Sequence, residues 1–255
     1  MTTPFLDIDR TLPDGLLPDL LARIRAERPD NLSAAEAAAD AGKLWAVGRT
    51  LPIAFMDQDL PADERAQLRA LVKDHAATWL DHANLHFAWD QSVADALIRI
   101  SFDPPANWSY IGLDAILIPQ DQPTMNLGGL RTGAPADIRR QIILHEFGHA
   151  LGLIHEHQSP VAAIEWNRDA VIKELSGPPN HWDKETIEIN IFYRYGHAQT
   201  QYGDLLPADA QFDDASIMVY PIPQHWTVQK LVIQGNTTLS ATDKAFIARC
   251  YPAAT

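Results

Sequence analysis

HEFGHALGLIHEHQSP, residues 145–160, gathers four of the chain's 10 histidines, with two glutamates and two glycines among them. His145 and His149 stand four residues apart, so on a helix their imidazoles leave one face about one turn apart and can share a metal ion. Glu146 follows the first histidine, close to such an ion yet free to act on water beside it, a pattern found in zinc hydrolases. A third ligand six residues after His149 would fall on the wrong face of a continuing helix. Gly152 removes that obstacle, because it can take a positive φ, end the helix and turn His155 back toward the metal. Three neutral imidazoles leave a coordination position open, as catalytic zinc requires and closed structural zinc does not. The competing reading is a solvated His-rich helix. It makes the full H-E-x-x-H-x-x-G-x-x-H pattern a coincidence, roughly three orders of magnitude rarer on residue usage than the short motif.

The rest of the chain narrows the partners. A net charge of −13 repels phosphate backbones and anionic membrane surfaces, and no Lys/Arg run offers a local exception, so neither nucleic acid nor membrane is expected. The single cysteine, Cys250, excludes an intrachain disulfide and reads as a small buried residue. The opening MTTPFLDIDRTLPDGLL lacks a positive region and an uninterrupted apolar run, so it does not read as a secretory signal. No window approaches the roughly 18 apolar residues of a membrane span. As it stands the chain reads as cytoplasmic, with export by a non-standard route or after trimming as the other possibility.

Periodicity gives an α+β order. Residues 15–41 read as a helical arm, 49–57 (RTLPIAFMD) as a first strand, and 61–83 as a long helix with Leu68, Leu71, Val72, Ala76 and Leu80 at helical spacing. LHFAWD (85–90), ALIRISFD (96–103), DAILIPQ (114–120) and PTMNLG (123–128) follow as strands. Residues 134–153 return to helix and carry the histidine pair. Beyond them the chain is irregular until 241–250, a last helix announced by Ser240 and, three residues on, Asp243.

The zinc motif, together with DDASIMVY at 213–220, resembles the metzincin metallopeptidases and within them the astacin-like group. HALGLIHEH matches that group's habit of placing Glu-His after the third histidine, here Glu156 and His157. SIMVY is similar to the family's Met-turn, which implies that Met218 lies beneath the metal. It also implies that Tyr220 is an additional zinc ligand that swings to support the transition state. WSYIG (108–112), TMNLG (124–128) and the closing LSATDKAFIARCY are similar in weaker ways, so the resemblance spans roughly 43–251. Two departures stand out. Val219 occupies a place where the group usually has His, and one cysteine cannot supply the disulfides of its secreted members.

The resemblance implies a two-lobed zinc endopeptidase. Its upper lobe, about 43–152, would hold a twisted mixed sheet and the active-site helix; its lower lobe, about 153–255, would be irregular and end in a helix. One zinc ion held by His145, His149 and His155, with Glu146 as general base, would hydrolyse a peptide or protein substrate lying along an edge strand expected between 110 and 119. Trp108 and Tyr110 are candidates for the cleft lining or, more plainly, for the core. His157, His181, His197 and His225 read as surface residues, and Asp213 and Asp214 as caps on the approach to the Met-turn. The family uses the glutamate after the third histidine to hold a mature N-terminus, and Glu156 has that position. Residues 1–42 are either an inhibitory prosegment, with Asp30 or Asp40 on the zinc, or an arm packed against the lobes. Two other functions compete: a narrow-specificity processing amidohydrolase, and a non-catalytic zinc-stabilised binding protein. Retention of Glu146 argues against the second.

Overall fold

The structure, a computed structural model, describes residues 43–195 and 210–253. The expected N-terminal arm with Asp30 and Asp40, and His197, lie outside the described residues. TLPIAF forms β1 (Thr50–Phe55), with Leu51, Ile53, Ala54 and Phe55 buried. It pairs in parallel with β2 (His86–Ala88) on one side and β3 (Ile98–Ser101) on the other. Next to β3 lies parallel β5 (Met125–Leu127), and β4 (Asn107–Ser109) runs antiparallel to β5 at the margin, giving the order β2-β1-β3-β5-β4. All four residues of β3 are buried. Both sheet faces are therefore covered there, as in parallel sheets generally.

One expected strand is absent. Residues 112–117 form a 3-10 turn rather than part of a strand over 114–120. β5 already has β3 and β4 as neighbours, so the ladder beside β5 is closed to this segment. The turn begins at Gly112, whose φ of 49° and whose closeness to the Lys43 carbonyl (1.8 Å from where a Cβ would sit) exclude any other residue. Lys43 Nζ also grips Asp114 at 2.7 Å. The carbonyls that follow go to a buried arginine: Arg99 donates to Ile118, Pro119 and Gln122 as well as Ala96. The strand at this margin of the sheet is therefore Asn107–Ser109, and no strand lies between 110 and 119. The long helix is also divided, into α1 (Ala62–Ala76) and a 3-10 turn at Ala77–Asp81.

α2 (Ala136–Ala150) packs on the sheet and α1, and its residues 143–150 are all buried. Two indoles pin it, Trp79 Nε1 donating to the Leu144 carbonyl (3.0 Å) and Trp45 Nε1 to that of Ala150 (2.8 Å). After α2 the chain is mostly turns, interrupted by α3 (Arg168–Leu175) and α4 (Lys184–Ile187), until α5 (Ala241–Cys250). Two apolar clusters result. The first spans the sheet, α1 and α2 and also takes Ile217, Met218, and Ile247 and Cys250 of α5; the second holds Val171, Trp182, Val219, Tyr220 and Trp226. Among the described residues no helix is long and apolar enough to cross a membrane.

The capping signal at Ser240 is realised as a reciprocal box: Ser240 Oγ accepts from the Asp243 N–H, and the Asp243 carboxylate accepts from the Ser240 N–H. The same carboxylate accepts from the Ser216 hydroxyl (2.7 Å) and the Ile217 N–H (2.8 Å). Replacing Asp243 with Ala strands these donors and lowers the unfolding free energy in urea by about 3 kcal/mol. Ser240→Ala, which loses the cap and the hydroxyl's bond to Asp213, costs less, about 2 kcal/mol. Burial raises the Asp243 carboxyl above its usual 3.8, against the pull of its donors. The folded state then keeps that proton to higher pH than the unfolded chain, so stability falls as pH climbs from 3.8 through the raised value. In Asp243→Asn that part of the slope disappears from urea titrations taken across the acidic range.

Candidate metal centre

The end of α2 and the turn after it bring His145, His149 and His155 together, all buried. α2 ends in a Schellman motif: the Gly152 N–H donates to the His149 carbonyl and the Leu153 N–H to that of Gly148. Gly152 has a φ of 98°, and a Cβ there would also meet Leu44 at 2.9 Å. The reversal leaves the Leu153 carbonyl facing back to the helix, where it accepts from His149 Nδ1 at 2.8 Å. His145 Nδ1 donates likewise to the Ile217 carbonyl at 2.7 Å. A carbonyl only accepts, so each Nδ1 carries the proton and each Nε2 presents a bare lone pair.

Those lone pairs face one another. The Nε2 atoms lie 3.1 Å apart between His145 and His149, and 3.2 Å from each to His155 Nε2. Two bare lone pairs cannot hydrogen-bond to each other. Tetrahedral ligands at zinc–nitrogen distances sit about 3.3 Å apart. The donor set therefore fits a zinc ion.

Two further elements close on this centre. Met218 is buried, and its Sδ lies 2.3 Å from where a Cβ on Gly148 would be, so the methionine packs directly against the glycine at the second x of H-E-x-x-H. The Met218 carbonyl accepts from the Glu156 N–H (3.0 Å), tying the segment after His155 to the 216–220 turn. The buried Tyr220 ring lies 4.1 Å from the His155 ring and 6.2 Å from that of His145. With Glu146, 1% exposed, Tyr220 and His145 line one cavity of about 450 Å³.

The expectation for His157 is overturned. It is buried, donates from Nε2 to the Asn190 carbonyl (2.9 Å), and packs its ring on those of His155 and Tyr220 with centroids at 5.1 and 4.7 Å. Its packing depends on Asn190, far along the chain; the only local sign was its place directly after the His-Glu pair. His181 and His225 are exposed, as expected. Trp108 and Tyr110 are half-buried and meet edge to face. Asp213 caps its turn by accepting from the Ala215 N–H (3.0 Å) and Ser240 Oγ (2.6 Å).

Behind the centre a second cavity of about 320 Å³ is lined by Glu156, Asp213 and Asp243 together with Met218 and Phe246. Burial, with Asp213 and Asp243 nearby, pushes the Glu156 carboxyl up to about 8, against the Asp213 N–H that donates to its Oε1 at 3.0 Å.

No protein-family model matches the sequence, and no curated protein does. Solved structures do. A structure of myroilysin superposes with a TM-score of 0.75 at 33% identity, covering 85% of this chain and 99% of that one. A crystal structure of myroilysin gives 0.59 at 28% identity over 98% of this chain and 100% of that one. High choriolytic enzyme 1, a hatching enzyme zinc-protease from the medaka fish Oryzias latipes, shares the fold at a TM-score of 0.56 and 16% identity, over 83% of this chain and 95% of its own. With a mixed sheet, a helix delivering two histidines and a glycine turn delivering the third, the chain belongs to the astacin-like metzincin metallopeptidases.

Proposed function

We propose that the chain is a zinc-dependent endopeptidase in which His145, His149 and His155 hold the ion and Glu146 is the general base. The observation that carries this reading is the meeting of three Nε2 atoms at 3.1–3.2 Å, two of them with the tautomer set by backbone carbonyls. A zinc ion bound there supplies Lewis acidity at the scissile carbonyl and lowers the pKa of its water toward about 7. Glu146 stands beside His145 in the same cavity, so it can take a proton from the attacking water and return it to the leaving amine. The Tyr220 hydroxyl, carried by a ring packed on His155, would be a further ligand to the ion and would donate to the substrate carbonyl oxygen as charge develops there. Met218 forms a soft apolar floor under α2 at Gly148. The substrate pairs its backbone with β4, the edge of the sheet, whose Asn107 lines the same cavity.

Zinc quantitation combined with digestion of an unfolded peptide mixture tests this. The wild type and Glu146→Ala should both bind zinc, with cleavage by the variant slower by at least about 10²-fold to 10⁴-fold. Stoichiometric zinc with no peptide cut by the wild type, residues 1–42 present or removed, sinks the peptidase reading and leaves the binding-protein one. Tyr220→Phe should keep its zinc and lose about 10²-fold in kcat with KM little changed; equal cleavage by this variant would reduce Tyr220 to a packing residue.

A further inference from the structure

The cavity that holds Glu146, His145 and Tyr220 extends well past them, and its walls differ in kind from the reacting end. Ile138, Gln141, Ile142, His145 and Glu146 follow one another at helical spacing, so the face of α2 that carries the reacting groups continues as a pocket wall. Pro221 and Gln234 form the wall opposite. The Gln141 amide reaches across to Gly235 and Pro221, its Nε2 lying 3.1 Å from where a Cβ on Gly235 would be. Ile138 stands at the mouth, 38% exposed. Among the described residues that line the cavity, none is Lys or Arg, and the one carboxylate is Glu146. At about 450 Å³ the space admits a full-sized side chain.

We propose that this cavity receives the substrate side chain next to the scissile bond and selects an uncharged aliphatic or aromatic one, with Ile138 and Gln141 as specificity-determining residues. The proposal rests on the peptidase reading above. An acidic side chain entering here gives up its water, finds amides and aliphatic groups in place of a cation, and approaches the Glu146 carboxylate. A basic one loses its water for amide oxygens along the wall, because the one carboxylate, Glu146, stands at the reacting end and not in the wall beyond it. A leucine or phenylalanine side chain covers Ile138, Ile142 and Pro221 with no polar group left unmatched.

The test is digestion of a mixed peptide library by the zinc-loaded enzyme, with cut sites read by mass spectrometry. The expected result is that one of the two positions flanking the cut favours aliphatic and aromatic residues over Asp and Glu by at least about 10-fold. Gln141→Arg puts a cation into the wall and should shift the ratio of kcat/KM for Glu-bearing over Leu-bearing peptides at that position upward by about 10-fold. Ile138→Arg, at the exposed mouth, repeats the test where the buried change impairs folding. Wild-type cuts beside acidic residues, a flat profile at both positions, or active arginine variants with unaltered profiles each overturn the specificity proposal alone. A zinc-loaded wild type that cuts no peptide overturns the peptidase reading, and this one with it.

Discussion

Ile217 is held at both ends, and the metal centre depends on it. Its N–H donates to the Asp243 carboxylate at 2.8 Å, and its carbonyl accepts from His145 Nδ1 at 2.7 Å. The first bond belongs to the cap of α5, the second to the orientation of an imidazole on α2. One peptide unit thus connects the last helix of the chain to the helix that carries His145 and His149. The ring is oriented by a backbone carbonyl, as His149 is by that of Leu153, so in both Nδ1 is the donor and Nε2 is turned toward the other imidazoles. A carboxylate in the same place would orient the ring as well but would add a negative charge beside the ion. Ser216 reinforces the arrangement, its hydroxyl donating to Asp243 and accepting from the Met218 N–H.

The same turn explains the glycines inside the histidine pattern, which spacing alone does not. Gly152 is needed for its positive φ, a property of the local backbone. Gly148 is needed for a different reason, because Met218 Sδ sits where its side chain would begin. Two residues 70 positions apart thus pack against one another, and a larger residue at 148 would force the Met218 side chain out of its present position.

Features that rest on local chemistry were legible in the sequence. The histidine pair on one helical face, the glycine break and the Ser240–Asp243 box are each set by residues within one or two turns, and each has the expected geometry. Features that rest on distant partners were not. The apolar run at 114–120 has strand composition, yet strand pairing needs an open edge, and β4 had already taken the one beside β5. Its last carbonyls are then satisfied by Arg99, a residue whose burial within β3 no periodicity announces. His157 is polar and follows a metal ligand, which suggests a solvated turn. Its burial depends on the segment around Asn190 and on the Tyr220 ring, both remote in sequence.

Where the two apolar clusters divide bears on how the proposed chemistry is possible. Ile217 and Met218 pack with the sheet and α2, while Val219 and Tyr220 pack with the cluster that holds Trp226 and Trp182. The boundary falls within four consecutive residues, directly under the imidazoles. The three histidines are referred to the first body by the bonds to Ile217 and Leu153 and by the Glu156 N–H on the Met218 carbonyl. Tyr220 belongs to the second and packs against the His157 ring with centroids 4.7 Å apart. A small displacement of one cluster against the other would move the tyrosine relative to the imidazoles and leave the distances among the imidazoles unchanged. A side chain proposed to leave the ion and meet a developing oxyanion requires that independence, and Val219, apolar and buried where the group usually has His, anchors the second body without adding a polar group to be satisfied during the movement.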